Sequence, residues 1–129
     1  MIPRQGDRPP VSLKQRVQAM VRRHFWKMDI ASSAWIAPTA HIDRTWPKGV
    51  HIGAGVIVDH EAVILAHDMT RGLYLDTRIG EGAVIGARAI VFPGVSVGPD
   101  ARVEPGSVVN RDVAAGERVM GNPARPAPA

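Results

Sequence analysis

β-Branched aliphatic residues fall six positions apart along this chain. Ile79, Ile85, Val91, Val97, Val103 and Val109 form an unbroken series, and Ile36 with Ile42, then Ile52, Val58 and Ile64, carry the same beat upstream. A second column of small residues follows by four: Ala40, Val56, Ala62, Ala83, Ala89, Val95, Ala101, Ser107 and Val113. A period of six matches neither the 3.6 of a helix nor the alternation of an ordinary strand. It predicts an all-β parallel β-helix, in which each six-residue unit lays down one short strand and one turn. Gly53, Gly80, Gly86 and Gly98 directly follow aliphatic positions, where a tight turn is expected to need a residue without a Cβ. The pattern runs from about Ala34 to Met120.

The beat breaks twice. Ile42 and Ile52 are ten apart, around Arg44-Thr45-Trp46-Pro47. Ile64 and Ile79 are fifteen apart, around Ala66-His67-Asp68-Met69-Thr70-Arg71-Gly72-Leu73-Tyr74. Insertions in a repeat map to surface loops and often to the binding face, so the second break is the first place to look for chemistry. Before the repeat, Ser12 and Gln15 form a capping-box pair. Leu13, Val17, Met20, Val21, His24 and Met28 then recur at helical spacing, with Lys14, Arg16, Arg22, Arg23 and Lys27 falling mostly elsewhere. This predicts a basic amphipathic helix of about four turns. Its apolar face is expected to close the open end of the β-helix, where strand edges need cover. Docking on a membrane surface is the less favoured reading. The expected organisation is an arm and helix over 1–33, with 1–10 flexible, a β-helix over 34–120, and a Pro- and Ala-rich tail over 121–129 that packs outside or frays.

The 129 residues suit one domain with a small core, for which oligomerisation supplies further burial. Absence of cysteine excludes disulfides, thiolate metal sites and a cysteine nucleophile. No apolar run approaches the roughly 20 residues of a membrane span, and Met1 to Pro10 do not read as a signal peptide, so a cytoplasmic protein is expected. The net charge of +4 suits an anionic partner. With 5% aromatics and no stripe of them among Arg and Lys, nucleic acid is not expected.

Among the five histidines, His67 stands out as a general base. It sits in the long insertion between small Ala66 and Asp68; the alternative is a loop histidine that only bonds backbone. His60, in Asp59-His60-Glu61, competes but lies in an unbroken unit. His41 and His51 precede aliphatic positions and read as solvated turn residues, and His24 belongs to the helix. Asp68 is a candidate to orient His67, although a backbone carbonyl or a neighbouring subunit's carboxylate would serve as well. Leu73 and Tyr74 read as an acceptor-site wall or as loop packing.

Several runs resemble the hexapeptide-repeat acyltransferases. They are Pro47-Lys48-Gly49-Val50-His51-Ile52-Gly53, Ile64-Leu65-Ala66-His67-Asp68-Met69-Thr70-Arg71 and Asp76-Thr77-Arg78-Ile79-Gly80. The closing stretches are Pro93-Gly94-Val95-Ser96-Val97-Gly98, Pro105-Gly106-Ser107-Val108-Val109-Asn110-Arg111-Asp112-Val113 and Gly121-Asn122-Pro123-Ala124-Arg125. The likeness covers roughly residues 34–126 and is nearest to sugar O-acetyltransferases of capsule, colanic acid and lipopolysaccharide synthesis. It implies a left-handed coil, an exception to the usual crossover hand, and a homotrimer with sites between subunits. It implies acetyl-CoA as co-substrate and a sugar, or a nucleotide- or lipid-linked sugar, as acceptor, with His67 as base and direct transfer. By the same resemblance Ala87 meets the thioester end of coenzyme A, Asn110 and Arg111 lie near pantetheine and phosphates, and Arg125 meets the nucleotide phosphates.

Two residues depart from the family pattern. Pro105 stands where relatives carry Ala and has no N–H to donate, and Glu104 replaces a common Gly and brings negative charge. These motivate an alternative, a non-catalytic trimeric scaffold. A zinc hydratase on the same β-helix would need three histidines around one metal. Gly72 occupies the place five residues after His67 where the third would stand, so no metal is expected.

Overall fold

The computed structural model of the chain describes residues 9–128, so most of the arm expected over 1–10 lies outside it. Strands of two to four residues wind into a coil with three faces. The first face stacks β1 (Asp29–Ile30), β4 (Val50–Ile52), β9 (Thr77–Ile79) and β12 (Ser96–Val97). The second stacks β2 (Trp35–Ile36), β5 (Ile57–Val58), β10 (Val84–Ile85), β13 (Arg102–Val103) and β15 (Arg118–Gly121). The third stacks β3 (His41–Ile42), β6 (Val63–Ile64), β11 (Ile90–Val91) and β14 (Val108–Val109). All neighbours within these stacks are parallel. On the second face Trp35 pairs with Ile57, Ile57 with Val84, Val84 with Arg102 and Arg102 with Arg118, separations of 22, 27, 18 and 16 residues. Three six-residue units make the regular coil of 18; the two breaks lengthen the first two coils.

Both columns face the core. The aliphatic column from Ile36 to Val109 and the small column from Ala40 to Val113 are buried throughout. Small residues fill the corners because a coil this narrow leaves no room there for a larger side chain. The glycines after the aliphatic positions serve a different purpose from the one expected. Gly53, Gly80, Gly86 and Gly98 have ordinary φ, and it is Gly82 and Gly106, further round the corners, that take φ of +72° and +73°. At Gly86 the constraint is the next coil: a Cβ would lie 2.6 Å from Pro105 N and 2.7 Å from Val103 O. Gly86→Ala is therefore expected to destabilise the fold by about 2–3 kcal/mol, through backbone displacement. Denaturant unfolding checks this, and a loss within experimental error would mean the coils can part at no cost.

The helix α1 (Leu13–Met20) starts at the predicted capping box, with Gln15 N–H on Ser12 Oγ and Ser12 N–H on Gln15 Oε1. A π-helical turn, Val21–Phe25, continues it. It closes the open end of the coil as expected, but with the opposite face. Carbonyls of later coils accept from the coil before: Ile52 O takes Ala31 N–H and Val58 O takes Ala37 N–H. The first coil has no predecessor, and polar side chains supply the missing donors. Gln15 Nε2 donates to Ile36 O (2.9 Å), Gln18 Nε2 to Pro38 O (3.1 Å) and Arg23 Nε to Ile30 O (3.2 Å). Of the predicted apolar stripe only Met28 is buried, while Leu13, Val17, Met20, Val21 and His24 are exposed. An unpaired strand edge demands hydrogen-bond donors, which an apolar face lacks. At the other end β16 (Ala124–Pro126) pairs antiparallel with β15, so this part of the tail is a strand. Among the described residues no helix is long and apolar enough to cross a membrane.

Candidate active site

Both breaks leave the coil at the same corner, between the third and first faces, in adjacent coils. The first break holds Asp43 and a 3-10 turn, Pro47–Gly49. The second is a hairpin, β7 (His67–Asp68) against antiparallel β8 (Leu73–Tyr74). Asp43 ties them together. Its Oδ1 accepts from Thr45 N–H (2.8 Å) and Trp46 N–H (3.3 Å), folding the first loop over itself. Its Oδ2 accepts from Ala66 N–H (2.7 Å), His67 N–H (3.0 Å) and His67 Nδ1 (2.5 Å). Burial pushes the Asp43 carboxyl up, but the Ala66 amide, the His67 ring and the Thr45 and Trp46 amides together hold it below the usual value. The side chain is only 2% exposed, and every one of these bonds is to the charged form.

An ionised carboxylate only accepts, so Nδ1 of His67 carries a proton, and in the neutral ring Nε2 is the nitrogen that keeps its lone pair. Among the described residues no group of the chain bonds Nε2. The ring, 17% exposed, stacks beside Tyr74 with centroids 6.5 Å apart, and Tyr74 meets Trp46 edge-on at 5.5 Å. A histidine with a fixed tautomer, a buried carboxylate behind it and an open Nε2 has the geometry that can accept a proton from a group brought to it.

Asp68 does not orient His67. Its Oδ1 accepts Thr70 and Arg71 N–H and its Oδ2 takes Arg71 Nε at 2.7 Å, so it shapes the hairpin turn. These bonds, the Arg71 side chain first, hold its carboxyl below the usual value. His60 stands at another corner with Nδ1 3.0 Å from Thr39 Oγ1, and Asp59 bonds its backbone N–H rather than its ring. His41 and His51 lie on strands, not turns. His51 bridges Asp29 (2.9 Å) and Asp76 (2.8 Å) across three coils.

A family model described as the hexapeptide repeat of succinyl-transferase matches residues 76–111. Residues 76–111 therefore carry a hexapeptide repeat of that kind. The chain is 32% identical over 105 residues to YvoF of Bacillus subtilis (strain 168), a candidate acetyltransferase, covering 80% of this chain and 61% of that one. Serine acetyltransferase of Buchnera aphidicola subsp. Acyrthosiphon pisum (strain APS) is 31% identical over 121 residues, covering 88% of this chain and 43% of that one. The hexapeptide-repeat chain thus spans less than two thirds of the length of these curated relatives. A maltose O-acetyltransferase from Clostridium difficile 630 shares the fold, with a TM-score of 0.68 at 17% identity over 95% of this chain and 79% of that one.

In this hexapeptide-repeat coil the residues assigned to coenzyme A by resemblance do not gather around His67. Ala87 sits at the corner between the second and third faces, half-buried. Asn110 and Arg111 are exposed just beyond β14, at His67's corner but two coils further on. Arg125 lies on β16, where its Nη1 donates to Ala124 O at 2.7 Å. Glu104 is paired: Arg118 Nε reaches its Oε1 at 2.5 Å. Two contributors escaped the sequence reading. Trp46 had the first break as its only signal. Asp43 had only its place at the start of that break, because the histidine it holds lies 24 residues further on.

Proposed function

We propose that this chain is an acetyl-CoA-dependent O-acetyltransferase acting on a sugar hydroxyl, working as a homotrimer of left-handed coils. The observation that carries the reading is the His67–Asp43 pair with Nε2 open beside Tyr74. Nε2 takes the hydroxyl proton while the oxygen attacks the thioester carbonyl. A backbone N–H, with Ala87 of a neighbouring subunit as the candidate, stabilises the tetrahedral oxyanion. The C–S bond then breaks, the proton held on Nε2 passes to the departing sulfur, and no acyl-enzyme forms. The separation of His67 and Ala87 onto different corners supports a site shared between subunits. Trp46, Leu73 and Tyr74 supply an aromatic and apolar wall for the acceptor, which fits a sugar of envelope or exopolysaccharide synthesis.

Calorimetric titration with acetyl-CoA, followed by thiol release on adding sugar acceptors, tests this. Micromolar binding that weakens about five- to tenfold in Arg125→Ala supports the reading, since a guanidinium is suited to phosphate. Failure to bind at millimolar concentration would favour the scaffold reading, for which Pro105 is the specific motive. Glu104 is the lesser obstacle while Arg118 neutralises it. Arg118→Ala is expected to weaken acetyl-CoA binding about three- to tenfold at low salt by exposing that charge, and less at high salt. Unchanged affinity would place the coenzyme away from Glu104.

A further inference from the structure

The N-terminal helix is turned inside out relative to its sequence pattern. Its packed side is polar: Gln15, 8% exposed, and Gln18 and Arg23 are spent on the open edge of the coil. The side facing away carries Leu13 (77% exposed), Val17 and Met20 (55%), spaced so that they line one stripe with His24. Phe25 adds a ring 73% exposed, stacked edge-on with Trp26 at 5.0 Å. Residues 11–28 hold five basic side chains, Lys14, Arg16, Arg22, Arg23 and Lys27, and no Asp or Glu. Lys14, Arg16 and Lys27 are exposed and flank the apolar stripe.

We infer that this face docks the protein on an anionic lipid surface. An amphipathic helix that buries its apolar stripe at the headgroup boundary needs cationic flanks and an aromatic anchor, and this helix has both. A protein partner would also cover apolar residues, but a helix whose charged side chains are all cationic is the complement of a lipid surface of one sign. The helix is anchored to the coil through its other side, so docking leaves Gln15, Gln18 and Arg23 in place. The inference does not depend on the chemistry at His67.

Sedimentation of the protein with phosphatidylcholine vesicles, with and without phosphatidylglycerol, tests it. Binding is expected to be about tenfold stronger to the anionic vesicles and to weaken with salt. The double substitution Leu13→Glu and Met20→Glu, at two exposed positions, is expected to reduce it more than tenfold without changing the melting temperature. The pair Lys14→Gln and Arg16→Gln should remove the preference for anionic lipid. Absence of binding to anionic vesicles overturns the inference, as does binding that survives both pairs. An oligomer that the Leu13→Glu and Met20→Glu pair dissolves, with no vesicle binding by the intact protein, overturns it in favour of a second copy on this face.

Discussion

His67→Ala is expected to lower kcat for acetyl transfer by about 10²–10⁴-fold while acetyl-CoA binding and the melting temperature stay close to those of the parent. General-base catalysis by a positioned histidine is worth about that much. The ring sits at the surface end of the site, 17% exposed, so its removal opens little of the core. The backbone around it remains held by the Ala66 and His67 amides on Asp43. Steady-state kinetics with a sugar acceptor, set beside calorimetry, check both halves. A loss below about tenfold would remove His67 from the role of base.

Asp43→Asn is expected to be nearly as damaging to kcat, by about 10²–10⁴-fold, and to cost stability as well. An amide nitrogen facing Nδ1 would donate to it, forcing the proton onto Nε2 and destroying the base. Asp43 also accepts four backbone amides from two loops. Losing charge-assisted bonds at a buried site is expected to cost about 2–4 kcal/mol. The pH dependence follows from the lowered Asp43 carboxyl. In the unfolded chain it titrates near the ordinary value of about 3.9, and in the fold it titrates lower. Its contribution to stability is therefore complete above the unfolded value and is lost as pH falls through the folded one. Denaturant unfolding from neutral to acid pH should show a steeper acid loss in the parent than in Asp43→Asn. Parallel curves would mean that Asp43 is not the charged keystone of this corner.

The coil was legible in the sequence because its constraint is local. Each turn of the ladder imposes the same demand, so Ile79, Ile85, Val91 and their successors repeat it. What the chain must do once left no period. Asp43 is bonded to a residue 24 positions away, whereas Asp68 stood beside His67 and looked the better partner. In the structure the side chain of Asp68 is held by the hairpin turn and by Arg71. The helix shows a different limit. Spacing reveals that Leu13, Val17 and Met20 share a stripe, but not which side faces inward. That was decided by the unpaired carbonyls of Ile30 and Ile36, which belong to the coil rather than to the helix.

The unequal coil lengths carry a consequence for how such a protein changes. Both long coils return to the ladder in register, so the extra residues are accommodated wholly outside it. Lengthening an excursion of this kind adds chiefly closure entropy, about 0.6 kcal/mol per doubling, and disturbs no pairing in the coils above or below. The corner that carries His67 can thus be remodelled for a new acceptor almost independently of the column that keeps the molecule folded. Selection on substrate choice and selection on stability then act on separate residues of one short chain.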